Sequence, residues 1–124
     1  MAKVVHFEIP VDDPERASTF YRDALGWEIA GWGDQPYWLV TAGKPEDMGA
    51  DGALIGRGDI HQHPVLVVGV ESIDDALARV EQAGGTVLQG RMEIPTVGWS
   101  AYIRDPEGNT VGLFEPAPGS MPGG

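Results

Sequence analysis

The sequence predicts an α+β domain made of two tandem βαβββ modules. Three observations carry this reading. Short apolar or alternating runs occur in the order strand–helix–strand–strand–strand, and then in that order again. A shift of 59 residues superposes the halves, placing Val11 on Val70, Ala17 on Ala76, Ala24 on Ala83, Gly26 on Gly85 and Ile29 on Leu88. The 18 glycines and 10 prolines are spread as punctuation between many short elements. Module 1 covers about residues 1–58 and module 2 about 63–116 of a single domain over 1–116, leaving 117–124 as a flexible tail without a packing face.

The first strand is expected over Val4 to Pro10. A helix follows: Asp13 can cap it, Pro14 suits its first position and Glu15 suits the positive end of its dipole. Ala17, Phe20, Tyr21, Ala24 and Leu25 recur at helical spacing as its apolar face, and Gly26 can end it in a left-handed conformation. Strands are then expected over Trp27 to Trp32, Tyr37 to Thr41 and Ala53 to Gly56. Residues 57–64 link the halves. Val65 to Val70 is apolar almost throughout, as in a strand covered on both faces. Ser72 with Asp75 starts the second helix, Ile73, Ala76, Leu77 and Val80 form its stripe, and Gly84-Gly85 stops it. Thr86 to Gly90, Trp99 to Arg104 and Val111 to Glu115 complete the strands.

Composition excludes several classes. Eight Lys+Arg against nineteen Asp+Glu give a formal net charge of −11, which is the wrong sign for nucleic acid or an anionic membrane surface. No apolar run approaches the ~20 residues of a membrane span, and the start carries no hydrophobic signal segment, so a cytoplasmic location is expected. With no cysteine, disulfides, thiolate metal sites and Cys nucleophiles are excluded. There is no serine-hydrolase elbow and no phosphate-cradling loop; Gly56-Arg57-Gly58 is too short and too far from a helix start.

Several runs together resemble the vicinal oxygen chelate superfamily, the glyoxalase, bleomycin-resistance and extradiol-dioxygenase group. They are Val5-His6-Phe7-Glu8-Ile9-Pro10-Val11-Asp12-Asp13, Phe20-Tyr21-Arg22-Asp23-Ala24-Leu25-Gly26-Trp27-Glu28, Gly84-Gly85-Thr86-Val87, Gly98-Trp99-Ser100-Ala101-Tyr102 and Asp105-Pro106-Glu107-Gly108-Asn109. The resemblance extends over nearly the whole chain. It implies that each module curls into a partial barrel, that two such barrels surround a cavity, and that the helices pack outside. It also implies a small-molecule ligand and a homodimer, since partial barrels leave strand edges to be covered.

The same resemblance implies a divalent ion, Mn, Fe, Ni or Zn, held by His, Glu or Gln on particular strands. The first-strand ligand falls on His6. Its counterpart in the second half is Val65, and the closing-strand ligand falls on Gly112; neither can bind a metal. His63, in His61-Gln62-His63, shares a strand face with Val65 if the segment is extended, and could join His6 and Glu8. Against that stands a plain reading in which His61 and His63 belong to a solvated linker and His6 hydrogen-bonds Glu8. The residues themselves establish no cofactor.

The expected ligand-binding set is His6, Glu8, Trp38, Val65, Val67, Trp99, Tyr102 and Gly112, with His6 and His63 as the metal candidates. Trp38 and Trp99 belong to this set because indoles in a cleft hold flat or cationic ligands. Trp32 is placed to border the entrance, and Tyr37 supplies a phenol near the same strands. The function expected is a small-molecule binder of the glyoxalase/bleomycin-resistance type with an incomplete metal-ligand set. The alternative is a metal-dependent lyase, isomerase or dioxygenase using His6 and His63. A regulatory subunit with a vestigial pocket is the third reading.

Overall fold

Turn and cap chemistry places the elements. In the computed structural model, which describes residues 2–119, they run β1 (Val4–Val11), α1 (Pro14–Leu25), β2 (Glu28–Gly31), β3 (Tyr37–Thr41), β4 (Gly52–Gly56), β5 (Val65–Gly69), α2 (Ile73–Gln82), β6 (Thr86–Ile94), β7 (Gly98–Arg104) and β8 (Thr110–Pro116). The strand–helix–strand–strand–strand order thus occurs twice. The Asp13 carboxylate accepts from Arg16 N–H at 3.0 Å, and the Ser72 hydroxyl accepts from Asp75 N–H at 3.2 Å, so both expected N-caps form. Gly26 ends α1 at φ 72°. At the end of α2 the two glycines divide the work. Gly84 takes the left-handed conformation (φ 98°), while a Cβ on Gly85 would press on Val80 and on the Arg104 carbonyl.

The chain divides into two compact units, Val5–Val65 and the remainder from Leu66 onward with the residues through Val4. In the first, β4 lies parallel to β1 and antiparallel to β3, and β3 is antiparallel to β2. In the second, β8 lies parallel to β5 and antiparallel to β7, and β7 is antiparallel to β6. Both units therefore have the same pairing pattern. Each sheet is covered on one face by its own helix. In the first unit Val11, Val40 and Leu54 are buried with Phe7, Ile9, Ala17, Tyr21, Trp27, Ile29 and Trp38 against them. In the second, Val70, Ile73, Ala76, Ala101, Ile103 and Leu113 form the core, joined by Val68, Leu77, Val80, Trp99 and Val111.

Three expectations need correcting. The face that α1 buries holds Ala17, Ser18 and Tyr21; Phe20 and Leu25 are exposed, with Phe20 edge-on to the Tyr21 ring at 5.2 Å. The small Ala17 and Ser18 let the helix approach the sheet, which tilts the bulkier Phe20 outward. Leu66 is exposed, so β5 is not covered on both faces along its length. Strand β6 runs four residues past Gly90, with register slips between Val87 and Gln89 and between Gln89 and Met92. Of the tail expected to be flexible, 120–124 lie outside the described residues, whereas Ala117 N–H donates to the Val97 carbonyl at 3.0 Å.

The Asp105-Pro106-Glu107-Gly108-Asn109 run has a local structural role. One Asp105 carboxylate oxygen accepts from Glu107 N–H (2.8 Å) and Asn109 N–H (2.9 Å), and the other from the Asn109 side chain (3.0 Å). These bonds hold the Asp105 carboxyl below the usual carboxylate range and close the β7–β8 turn.

Gly98 offers a sharp test of the second unit. Its φ is 153°, and a Cβ there would run into the Glu115 carbonyl oxygen and stand 3.0 Å from Pro116 Cα. Gly98→Ala is expected to lower unfolding free energy by about 1–3 kcal/mol in urea titrations; an unchanged midpoint would contradict this close approach.

Candidate functional site

Alternation along a strand sends Phe7, Ile9 and Val11 to the helix-covered face and His6, Glu8 and Pro10 to the other. On that other face of the Val5–Val65 unit, four polar side chains meet. His6 Nε2 lies 2.8 Å from the Tyr37 hydroxyl. The Tyr37 hydroxyl donates to Glu8 Oε2 at 3.0 Å. His61 Nε2 lies 2.6 Å from Glu8 Oε1. Glu8 is only 4% exposed and His61 8%, so this is a buried cluster.

The sheet explains how Tyr37 reaches Glu8. Glu8 pairs with Ala53 of β4, and Ala53 pairs with Leu39 of β3, two residues from Tyr37. Tyr37 must cross β4, and two strand spacings are roughly 9.6 Å. A phenol is long enough to span most of this, and the buried Ala53 adds only a methyl group to the row. His61 comes from the linker, which Arg57 fastens to the end of β1. Arg57 donates to Asp12 at 3.0 Å and to the Gln62 carbonyl at 2.8 Å, its backbone N–H bonds Val11, and Gly58 N–H bonds the His61 carbonyl.

With Glu8 ionised, counting protons assigns the tautomers. An ionised carboxylate only accepts, so the single Tyr37 hydrogen goes to Glu8. The Tyr37 oxygen must then accept from His6, which places a hydrogen on His6 Nε2. By the same reasoning His61 Nε2–H donates to Glu8. Burial lowers the pKa of His6 below its ordinary 6.5, outweighing the opposite pull of Glu8 and Asp51. Burial, and then the Glu8 carboxylate beside it, raise that of Tyr37 well above the ordinary phenol value. At neutral pH His6 is thus a neutral imidazole with a lone pair on Nδ1. Among the described residues nothing hydrogen-bonds that atom, and no buried polar side-chain atom lacks a partner, so Nδ1 is reached by solvent.

The expected ligand-binding residues are dispersed differently from the sequence reading. His6 and Glu8 are brought together, but through Tyr37 rather than by a direct bond. Trp38 is on the helix-covered side, packed into the first unit's core and facing Gly31. Trp99 likewise packs in the core beside α2, with the Arg91 guanidinium 4.6 Å from its ring. Val67, Tyr102 and Gly112 do cluster: they are register partners across β5, β8 and β7, and a Cβ on Gly112 would meet Val67 at 3.1 Å and the Tyr102 ring at 3.2 Å. Val65, at the start of β5, is buried. His63 is exposed, because bends at 62 and 63 break the extended geometry that would have aligned it with Val65. Trp32 does border the cluster, its ring 5.8 Å from that of Tyr37.

These donors do not fit a metal ion. His6 Nε2 is engaged with Tyr37, which leaves His6 only Nδ1 for an ion, and Glu8 is turned to Tyr37 and His61. The Gly112 position has no side chain to offer, and a Cβ there would press on the Val67 and Tyr102 side chains. Among the described residues no three His, Asp or Glu are placed to hold a metal. Nor, among them, is any helix long and apolar enough to cross a membrane.

Comparison with known proteins follows the fold. The model of the Glyoxalase/Bleomycin resistance protein/Dioxygenase superfamily matches residues 3–113. The chain is 31% identical over 116 residues to "Putative glyoxylase CFP32" of Mycobacterium bovis and of Mycobacterium tuberculosis, covering 90% of this chain. It spans only 43% of the length of those curated relatives. Among solved structures, methylmalonyl-CoA epimerase from Mycobacterium tuberculosis superposes with TM-score 0.64 at 22% identity, covering 92% of this chain and 87% of that one. Homoprotocatechuate 2,3-dioxygenase from Arthrobacter globiformis gives 0.68 at 21%, covering 93% and 36%. An Mn(II)-bound glyoxalase from Novosphingobium aromaticivorans gives 0.60 at 20%, covering 92% and 38%. At these identities the structural likeness is one of fold.

Two outcomes test the cluster. Tyr37→Phe deprives Glu8 Oε2 and His6 Nε2 of a partner at once, and is expected to cost about 1–3 kcal/mol in chemical unfolding. The pH dependence has a definite sign. The folded state holds His6 below its unfolded value of 6.5, so the unfolded state binds the extra proton first. This contribution to stability is present above about pH 6.5 and is lost as the pH falls through the lowered folded value. Thermal unfolding followed from pH 7.5 to 5 is expected to show this limb, flattened in His6→Phe; an identical limb in the variant would assign it elsewhere.

Proposed function

The chain belongs to the Glyoxalase/Bleomycin resistance protein/Dioxygenase superfamily, and within it we propose that it binds a small molecule through its own side chains rather than through a protein-held metal. Membership does not choose the reaction, for the matched structures include an epimerase, a dioxygenase and a glyoxalase. The observation that carries the reading is the His6–Tyr37–Glu8–His61 cluster on the face that α1 leaves uncovered. A carboxylate buried there is costly unless its oxygens are satisfied, and here two residues serve it. What emerges toward solvent is an oriented acceptor, His6 Nδ1, in a unit where Trp32, edge-on to Tyr37, and Leu39 are exposed. A few placed polar groups among apolar ones are what ligand sites are made of. His6 and Glu8 are the proposed binding residues in this unit, with Tyr37 and His61 added. Val67, Tyr102 and Gly112, on the uncovered face of the other unit, are proposed as apolar lining residues, and Trp38 and Trp99 are withdrawn to the cores.

The alternative, catalysis by a divalent ion held through His6 and His63, would leave His6 only its Nδ1 for the ion while Nε2 holds Tyr37, and would need the exposed linker around His63 to refold. Metal analysis of protein purified without a histidine tag decides between them. Under our reading, Mn, Fe, Ni and Zn each remain far below one per chain and none raises the unfolding temperature. Stoichiometric metal that disappears in the His6→Ala, His63→Ala double variant would establish the alternative.

A further inference from the structure

The proton inventory of the cluster also limits what it can bind. Three of its hydrogens are committed: His6 Nε2–H to Tyr37, Tyr37 O–H to Glu8, and His61 Nε2–H to Glu8. The solvent-reached atom, His6 Nδ1, has a lone pair and no hydrogen. Resting on the small-molecule reading above, we propose that this site selects ligands presenting an O–H or N–H donor on a flat apolar body, and rejects carboxylates, phosphates and phosphonates.

Three further observations point the same way. The charges facing His6 are acidic: Glu8 on its own strand and Asp51 in the segment before β4. Of the basic groups nearby, His61 is turned to Glu8, and Arg57 is occupied by Asp12 and the Gln62 carbonyl. An anion at His6 Nδ1 would therefore meet a lone pair under the influence of two carboxylates. The apolar body has a seat in the same unit. Trp32 is 38% exposed with its ring edge on Tyr37, and Leu39 is 42% exposed on the strand face that carries Tyr37. Tyr37 acts here as a positioning residue, because it holds His6 in the tautomer that accepts.

The test uses four compounds that share a phenyl ring. Phenol and benzamide offer donors; at about pH 8.5, where phenol keeps its hydrogen, benzoate and phenylphosphonate offer only anionic oxygens. Each is titrated at millimolar concentration into the full chain labelled with ¹⁵N-histidine. His6 is expected to show an unprotonated Nδ1, whose resonance moves with phenol and benzamide. Both anions are expected to bind at least about tenfold more weakly, roughly 1.4 kcal/mol. In Tyr37→Phe, where the tautomer is no longer fixed, the gap between phenol and benzoate narrows; in His6→Phe the donor preference disappears. If benzoate or phenylphosphonate binds this face as tightly as phenol, or if Nδ1 carries the hydrogen, the donor selection is overturned while small-molecule binding stands. If no compound moves a resonance of this face, both readings fall.

Discussion

A carboxylate sits where water hardly reaches, and much of the first unit is organised around that fact. Glu8 belongs to β1, which also supplies Phe7, Ile9 and Val11 to the helix-covered core. Its neighbours in sequence cannot serve it, because they point to the opposite face. Its partners must come from elsewhere: a phenol crossing from β3, and an imidazole from the segment that follows β4. Each requirement constrains something else. The phenol needs a small residue beneath it, and Ala53 provides one. The imidazole needs the linker bent back along the end of β1, and the Arg57 bonds hold that bend. Substituting Arg57, although it lies outside the cluster, would disturb the geometry that keeps Glu8 satisfied.

Repetition makes the asymmetry of the two units informative. The pairing pattern, the helix caps and the core faces recur. The polar equipment does not. The 59-residue shift carries His6 onto Val65, Glu8 onto Val67 and Ala53 onto Gly112. In the second unit Tyr102 fills the space at Gly112 with an aromatic ring. One unit carries His6, Glu8 and Tyr37 on its uncovered face, while the other carries Val67, Gly112 and Tyr102 there. A duplicated scaffold can hold such a difference because each core is built on the opposite faces of its strands, which the substitutions do not touch.

The same alternation decides what could be read from the residues alone. Caps, helix stops and the β–α–β–β–β order were legible because each depends on local chemistry: Asp13, Ser72, Gly26 and the glycine pair after α2 act on their own neighbours. His6 and Glu8 were legible as a pair because they are two apart on one strand. Trp38 and Trp99 pack against the cores, for a reason that was also in the sequence. Trp99 is three residues from Tyr102, so the two cannot share a face of a regular strand, and Trp38 adjoins Tyr37 with the same consequence. The phenol was the residue to follow. The choice of His61 over His63 was not legible, since it depends on bends at 62 and 63 and on a guanidinium reaching the Gln62 carbonyl. The outward turn of Phe20 was hidden too, because it depends on how closely Ala17 and Ser18 let α1 settle on its sheet.

The cluster also has a consequence for how this fold can vary. A residue on the uncovered face can contribute a lone pair to a ligand directly or to a metal that then meets the ligand, but one nitrogen atom cannot do both. In this chain His6 Nε2 is bound to a phenol whose own hydrogen is bound to a carboxylate, so each link stabilises the next. Releasing His6 Nε2 for any other partner would leave the Tyr37 oxygen without its donor and loosen the hold on Glu8. The energetic obstacle lies in the network as a whole, which is larger than any one of its bonds. Recognition is thereby moved to the far side of the ring, to Nδ1, and the chemistry of the face becomes that of a neutral acceptor held in a fixed direction by a buried charge.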